Sequence, residues 1–234
     1  DLYKVFGNNP EAAMKHVHAG ISKQDLLDHH GHVLGLRDIN VKIKSKRIQV
    51  IMGLSGSGKS TLIRHINRLI EPTEGEVIVD GDNVLAMSTE ELRDFRRHKA
   101  SMVFQRFGLL PHRTVSQNVA YGLSIQGIGE GEATERSQRW IDRVGLAGFE
   151  QHFPAQLSGG MQQRVGLARA LATDAEILLM DEAFSALDPL IRTDMQNILL
   201  DLQEELHKTI VFITHDLDEA LRIGDEISIL RDGE

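Results

Sequence analysis

The residues that can do chemistry begin with one loop. Gly53-Leu54-Ser55-Gly56-Ser57-Gly58-Lys59-Ser60-Thr61 follows an apolar run and precedes an amphipathic one. The spacing of glycine, lysine and hydroxyl fits the loop that wraps a polyphosphate between a strand and a helix. Glycines at 53, 56 and 58 let the backbone fold tightly and turn its N–H groups inward around a β-phosphate. The positive end of the following helix strengthens that field. Lys59 can reach the β- and γ-phosphates, and the Ser60 hydroxyl can ligate Mg²⁺.

A second group of chemical residues lies far along the chain. Met180-Asp181-Glu182 ends the apolar run Glu176 to Met180. A carboxylate at the C-terminal edge of a strand sits where open α/β sheets bind ligands. Asp181 is therefore expected as a Mg²⁺ partner through water, and Glu182 as the base that polarises an attacking water. Two solvated acids at a strand end are the plainer alternative, and the phosphate loop upstream argues against it.

The elements that must hold these groups are legible as alternating patterns. Arg47 to Met52, Glu176 to Met180 and Thr209 to Ile213 are continuous apolar runs, as in strands buried on both faces. A helix is predicted over Ser60 to Leu69, and another from Pro189 to Leu206, where Ile191, Met195, Ile198, Leu199, Leu202 and Leu206 recur at three- and four-residue steps. Glu76 to Asp82 reads as half of a hairpin with an Asp-Gly turn. Short strands alternating with helices predict a mostly parallel α/β sheet.

Two segments stand apart from that alternation. Between about Leu92 and Gln156 strand signals fade and helical patterns dominate, which is too long for a single crossover and reads as an inserted helical subdomain. Residues 7 to 35 hold five of the eleven histidines (His16, His18, His29, His30 and His32) and no convincing strand. Imidazoles suit a metal. Two short solvated helices, the second begun by Ser22 with Asp25 in its first turn, are the preferred reading.

A phosphate loop alone leaves kinases, GTPases, helicases and transport ATPases open. Leu157-Ser158-Gly159-Gly160-Met161-Gln162-Gln163-Arg164, about twenty residues before Asp181, resembles the ABC signature motif. Ser158 and two glycines before a helix make a second anion-binding helix start. The resemblance implies ATP as nucleotide and a head-to-tail homodimer, with Ser158, Gly159 and Gly160 of one subunit closing over the γ-phosphate held by the other. Other positions match in order. Gln105 resembles the Q-loop glutamine that joins Mg²⁺ and the attacking water to the helical subdomain, and Ser185-Ala186-Leu187-Asp188 resembles the D-loop at the dimer seam. His215 resembles the switch histidine that contacts the γ-phosphate. Phe6 falls where the family usually stacks a Tyr on adenine; Phe keeps the ring and loses the hydroxyl, and Tyr3 is the competing candidate.

The implied fold is a P-loop NTPase, RecA-like core with an antiparallel β subdomain and an inserted α-helical subdomain. In that division residues 1–91 and 162–234 form the core, with the insertion at 7–35, and 92–161 form the Q-loop and helical subdomain ending in the signature. The stretches Asn67 to Thr73, Met180 to Arg192 and Asp216 to Asp225 resemble the ATPase subunits of glycine betaine/proline betaine importers. That likeness implies a transmembrane permease and a solute-binding protein as partners, at the cytoplasmic face of the inner membrane. Gln105 to His112 carries Phe107, Leu109 and Leu110, suited either to receiving a permease helix or to packing the subdomain. Importers of this group commonly continue into paired CBS domains. The sequence reaches Glu234 without one, so such regulation is expected to be absent or to lie on a part not shown.

Composition is consistent with this. Twenty-six basic and 34 acidic residues give a net charge of −8, which offers no electrostatic pull toward nucleic acid. Cysteine is absent, excluding disulfides and thiolate metal sites. No apolar run reaches the ~20 residues that span a bilayer, and the N-terminus does not read as a signal peptide. Two alternatives remain open. One is an importer of another small solute such as an amino acid or trimethylamine N-oxide. The other is a soluble ABC ATPase without a permease, although neither a long coiled-coil insertion nor a tandem cassette is present.

Overall fold

The computed structural model describes residues 1–105 and 108–234. Its centre is a five-stranded parallel sheet in the order β6-β7-β8-β3-β9. These strands are β3 (Ile48–Met52), β6 (Ala100–Val103), β7 (Ile177–Asp181), β8 (Thr209–Thr214) and β9 (Glu226–Ile229). The continuous apolar runs form its inner strands because both faces are covered. Leu178, Leu179, Met180, Phe212 and Ile213 are at most 1% exposed, and each such side chain contributes roughly 1.5–3 kcal/mol by leaving water. Register aligns the strand ends: Met52 lies opposite Thr214, and Asp181 opposite Ile213. The C-terminal ends of β7, β8 and β3 therefore open onto one edge.

Helices pack on the sheet. Helix α3 (Lys59–Ile66) follows β3, α8 (Pro189–Leu206) joins β7 to β8, and α9 (Leu217–Ile223) joins β8 to β9. Helix α8 has the bounds predicted, with Asp188 as its N-cap and Pro189 in its first turn. Helix α3 ends earlier than expected. Asn67 caps it and Arg68 takes a φ of 52°, which the right-handed helix does not allow.

Outside the sheet, β1 (Leu2–Phe6) pairs antiparallel with β2 (Val33–Ile39). Strands β4 (Ile78–Val79) and β5 (Asp82–Asn83) form a hairpin. Both residues of its Asp80-Gly81 turn have positive φ, 52° and 91°, as a right-twisted two-residue hairpin requires. Helix α4 (Thr89–Asp94) closes its end with a Ser88–Glu91 capping box.

The segment from 7 to 35 is two helices, α1 (Pro10–His18) and α2 (Lys23–His30). Ser22 caps α2 by accepting from the Asp25 N–H. The helices are not wholly solvated: Ala13, Met14, Val17 and Leu26 pack with Val5 and Leu34 into a small core of their own. Strand β2 also begins inside the segment, at Val33, where no strand was expected.

The middle of the chain is less uniform than its texture suggests. Helices α5 (Val115–Ile125), α6 (Glu130–Arg143) and α7 (Gly159–Ala172) pack together through Val115, Val119, Leu123, Ile141, Val144 and Val165. Strand β6 lies before them and pairs in parallel with β7. It was not expected as a strand, since Ala100-Ser101-Met102-Val103 is short and mixed and its pairing partner is more than seventy residues away.

Candidate functional site

A cleft of about 510 Å³ opens at the sheet edge where β3 and β7 end. Ligand sites commonly have this size. Its floor is the loop from β3 to α3. Gly58 has φ of 101°, and a Cβ there would lie 2.8 Å from both Gly35 O and Leu36 Cδ2. A Cβ on Gly53 would stand 2.2 Å from Leu230 O and 2.7 Å from Ser57 Oγ. Gly56 (φ 79°) has open space instead, on the side facing the cleft. The loop is thus pinned against β2 and the chain after β9, with Gly56 open toward the cleft.

Lys59 is 3% exposed, and its ammonium donates to Gly53 O at 2.8 Å and Leu54 O at 2.9 Å. Glu182 Oε1 lies 3.6 Å from the same nitrogen. Ser60 Oγ donates to Asp181 Oδ1 at 2.6 Å, while Arg64 donates to Asp181 Oδ2 at 3.0 Å. Asp181 is 1% exposed, and these two donors satisfy both of its buried carboxyl oxygens. Thr61 lines the cleft beside Ser60.

Glu182 adopts φ 47°, a left-handed conformation that non-glycine residues seldom take. The Ser185 N–H and hydroxyl both donate back to its carbonyl, at 3.2 and 2.9 Å, and hold the turn. The kink turns its carboxylate into the cleft, where Oε2 accepts from Gln105 Nε2 at 3.0 Å and stands 3.7 Å from His215 Nδ1. Strain of this kind concentrates at working sites.

Phe6, Ser55, Gly56, Gly58, Lys59, Ser60, Thr61, Gln105 and Glu182 all line the cleft. Gly53, Ser57 and Asp181 stand just behind this lining, and His215 beside Glu182. Ser57 Oγ is buried with no hydrogen-bond partner among the described residues. Phe6 presents its ring at the cleft rim beside Gly35, whereas Tyr3 turns to His18 at 5.3 Å between centroids. Ser158, Gly159, Gly160 and Asp188 are not among the residues that line it. Ser158 caps α7 by accepting from the Met161 N–H, and Asp188 caps α8 in the same way. Both remain exposed.

Among the described residues no three His, Cys, Asp or Glu side chains converge to hold a metal. The His16 and His30 rings stack at 4.0 Å, and the His32 ring nitrogen Nδ1 bonds to His30 O. In the segment after Gln105, Phe107 lies outside the described residues. Leu109 packs on the main core, and Leu110 is bonded through its backbone to Asn118.

Two features of the site were missed in the sequence. Arg64 belongs to it, and its place four residues after Ser60 on one helix face was a usable signal. Lys23, Gln24 and Leu27 of α2 also line the cleft. Their helix was expected, but nothing local says where it docks. Among the described residues no helix is long and apolar enough to cross a membrane.

The family model described as ABC transporter matches residues 36–185. The chain is 54% identical over 234 residues to the glycine betaine/proline betaine transport system ATP-binding protein ProV of Escherichia coli (strain K12), covering 100% of this chain and 58% of ProV. It is 55% identical over 230 residues to the glycine betaine transport ATP-binding protein OpuAA of Bacillus subtilis (strain 168), covering 98% of this chain and 55% of OpuAA. The chain therefore spans little more than half the length of these relatives. The dimeric post-hydrolysis structure of the ATP-binding cassette MJ0796 bound to ADP and Pi superposes with a TM-score of 0.83 at 35% identity, covering 100% of this chain and 93% of that one.

Proposed function

The chain belongs to the ABC transporter family, and we propose that it is the ATP-hydrolysing subunit driving a membrane importer of glycine betaine, proline betaine or a related quaternary amine. The observation that carries the catalytic reading is the setting of Glu182, with Lys59 3.6 Å away, Gln105 at 3.0 Å and His215 at 3.7 Å. The cargo rests on likeness to relatives of that description, since an ATPase subunit need not touch the solute.

The residues present fit MgATP. The space beside Gly56 is open toward the cleft, so a phosphate can approach the loop backbone there, and Lys59 has a third donor left for a phosphate oxygen. Ser60 hydroxyl, Asp181 carboxylate and Gln105 amide are hard oxygen ligands suited to magnesium, whose shell the nucleotide phosphates would complete. A bound magnesium ion would neutralise charge on the β- and γ-phosphate oxygens. Glu182 accepts the proton of the attacking water, Gln105 and His215 position that water and the γ-phosphate, and Lys59 balances the developing charge. Phe6 stacks on the base.

Ser158, Gly159 and Asp188 are exposed and Gly160 is half-buried on the same chain, and all four are absent from its cleft, which supports their use against a second copy. Two subunits would close head to tail on two ATP molecules, with the helical subdomain that follows β6 and the Q-loop moving against the core; the expected boundary at 92 shifts to after β6, because that strand belongs to the central sheet. The dimeric cassette bound to ADP and Pi supports this arrangement. The permease would receive the helical subdomain at the cytoplasmic face of the membrane.

The test is Glu182→Gln in the full-length protein. The variant should bind ATP, lose steady turnover and form an ATP-dependent dimer. Undiminished hydrolysis would remove Glu182 from its role. For the cargo, the cognate solute-binding protein should bind glycine betaine, and binding of an amino acid or trimethylamine N-oxide in its place would overturn the quaternary-amine assignment of preference.

A further inference from the structure

One end of the cleft is walled by the insertion. Helix α2 turns Lys23, Gln24 and Leu27 toward it, a single helical face at i, i+1 and i+4. Three apolar side chains at that end remain open to water: Phe6 at 38%, Leu27 at 45% and Val33 at 50% exposure. Their exposure is not a by-product of docking the helix. Leu26 is fully buried in the small core with Val5, Val17 and Leu34 and already anchors α2. Leu27, the next residue, is left for the cleft. Apolar side chains continuous with a phosphate-binding loop form a seat for a flat heteroaromatic ring.

The polar group beside that seat has a defined sense. Gln24 Nε2 donates to both oxygens of Asp28, at 2.9 and 2.8 Å. A carboxylate only accepts, so the amide nitrogen is committed to Asp28 and Oε1 is the atom left to interact with a ligand. A bare acceptor suits the exocyclic amine of adenine and opposes the carbonyl that guanine carries at the same position.

We propose that α2 closes the base end of the nucleotide cleft and selects adenine, with Leu27 as an apolar wall and Gln24 as the acceptor for the exocyclic amine. This rests on the nucleotide reading of the cleft given above. It assigns the insertion a direct part in binding, distinct from the stacking ring of Phe6.

The experiment is calorimetric binding of the non-hydrolysable β,γ-imido analogues of ATP and GTP to the full-length protein. Leu27→Ser should weaken both analogues about tenfold, since it removes an apolar contact shared by the two bases. Gln24→Leu should weaken the ATP analogue about fivefold and strengthen the GTP analogue by about twofold or more, because the acceptor that opposes the guanine carbonyl is gone, which narrows the preference. His29→Ala, elsewhere on the exposed surface of α2, should bind like the parent. Parent-like binding by both Leu27→Ser and Gln24→Leu, alongside lost binding in Phe6→Ala and Lys59→Ala, would overturn the proposal while leaving the nucleotide reading intact. Parent-like binding by Lys59→Ala would instead sink that reading, and this proposal with it.

Discussion

The Ser60 hydroxyl donates to Asp181 Oδ1 at 2.6 Å and so ties the start of α3 to the end of β7 across 121 residues of chain. Arg64, one turn further along α3, occupies the other oxygen. The buried carboxylate thus has one neutral and one cationic partner, and the two are expected to separate in function. Ser60→Ala should reduce the tightening of ATP binding by Mg²⁺ about tenfold while leaving metal-free binding within about twofold, because of these two partners only the hydroxyl can ligate a cation. Arg64→Met should lower stability by about 1–2 kcal/mol, a buried-pair loss discounted for the 41% exposure of the arginine side chain. Nucleotide titrations with and without Mg²⁺, together with urea unfolding, check both.

Gly58→Ala tests the loop itself. Its φ of 101° suits glycine only, and the added methyl would meet the Gly35 carbonyl and Leu36 at 2.8 Å. Backbone strain and overlap together should lower stability by about 2–3 kcal/mol and weaken ATP binding by at least tenfold. A variant that binds ATP normally would show that the loop tolerates a shift away from β2.

A composite site predicts an asymmetric effect at Ser158. Ser158→Arg puts a bulky cation at an exposed helix start that is absent from the chain's own cleft. ATP binding by the subunit should persist, while the ATP-dependent dimer and hydrolysis are lost. Sedimentation of the Glu182→Gln background with and without Ser158→Arg would decide it, and an unchanged dimer would exclude Ser158 from the seam.

Core packing should be most sensitive at Phe184, fully buried and tilted against Phe212 at 5.4 Å between ring centroids. Phe184→Ala should destabilise by about 3–5 kcal/mol through lost burial and a residual cavity. Chemical denaturation measures the loss directly.

His65 gives the pH dependence a sign. Burial holds its pKa below the ordinary 6.5, helped by Lys4 and opposed by the hydrogen bond to Thr61 O. The unfolded chain therefore binds the proton first as pH falls below 6.5, and stability declines from there downward through the folded pKa. His65→Asn should be less stable at pH 7 yet show a shallower loss between pH 6.5 and 5. An equal slope in the two proteins, from unfolding midpoints at several pH values, would assign the acid sensitivity elsewhere.

Much of the fold was legible because it is locally dictated. Three apolar runs marked the inner strands, Pro189 and the spacing of Met195, Leu199 and Leu202 marked α8, and Asp80-Gly81 marked a turn whose two positive φ values suit those residues. Strand β6 was not legible, because four mixed residues become a strand only through pairing with β7. The burial of one side of α1 and α2 was hidden for a similar reason. Met14, Val17 and Leu26 needed Val5 and Leu34 from flanking strands before they formed a core.

The sequence alone determined the phosphate loop, since the glycine, lysine and hydroxyl spacing acts on nearest neighbours and the backbone there has few ways to fold. Tertiary structure decided what meets it. The parallel order β7-β8-β3 brings the ends of three distant strands to one edge, and only then does Glu182 stand within 4 Å of both Lys59 and His215 while Asp181 meets Ser60. The same long-range packing sets α2 against the cleft, where Leu27 and Gln24 acquire a chemistry that their local sequence does not carry. Local spacing defines which groups are available, and burial of the strands they follow defines which of them can touch.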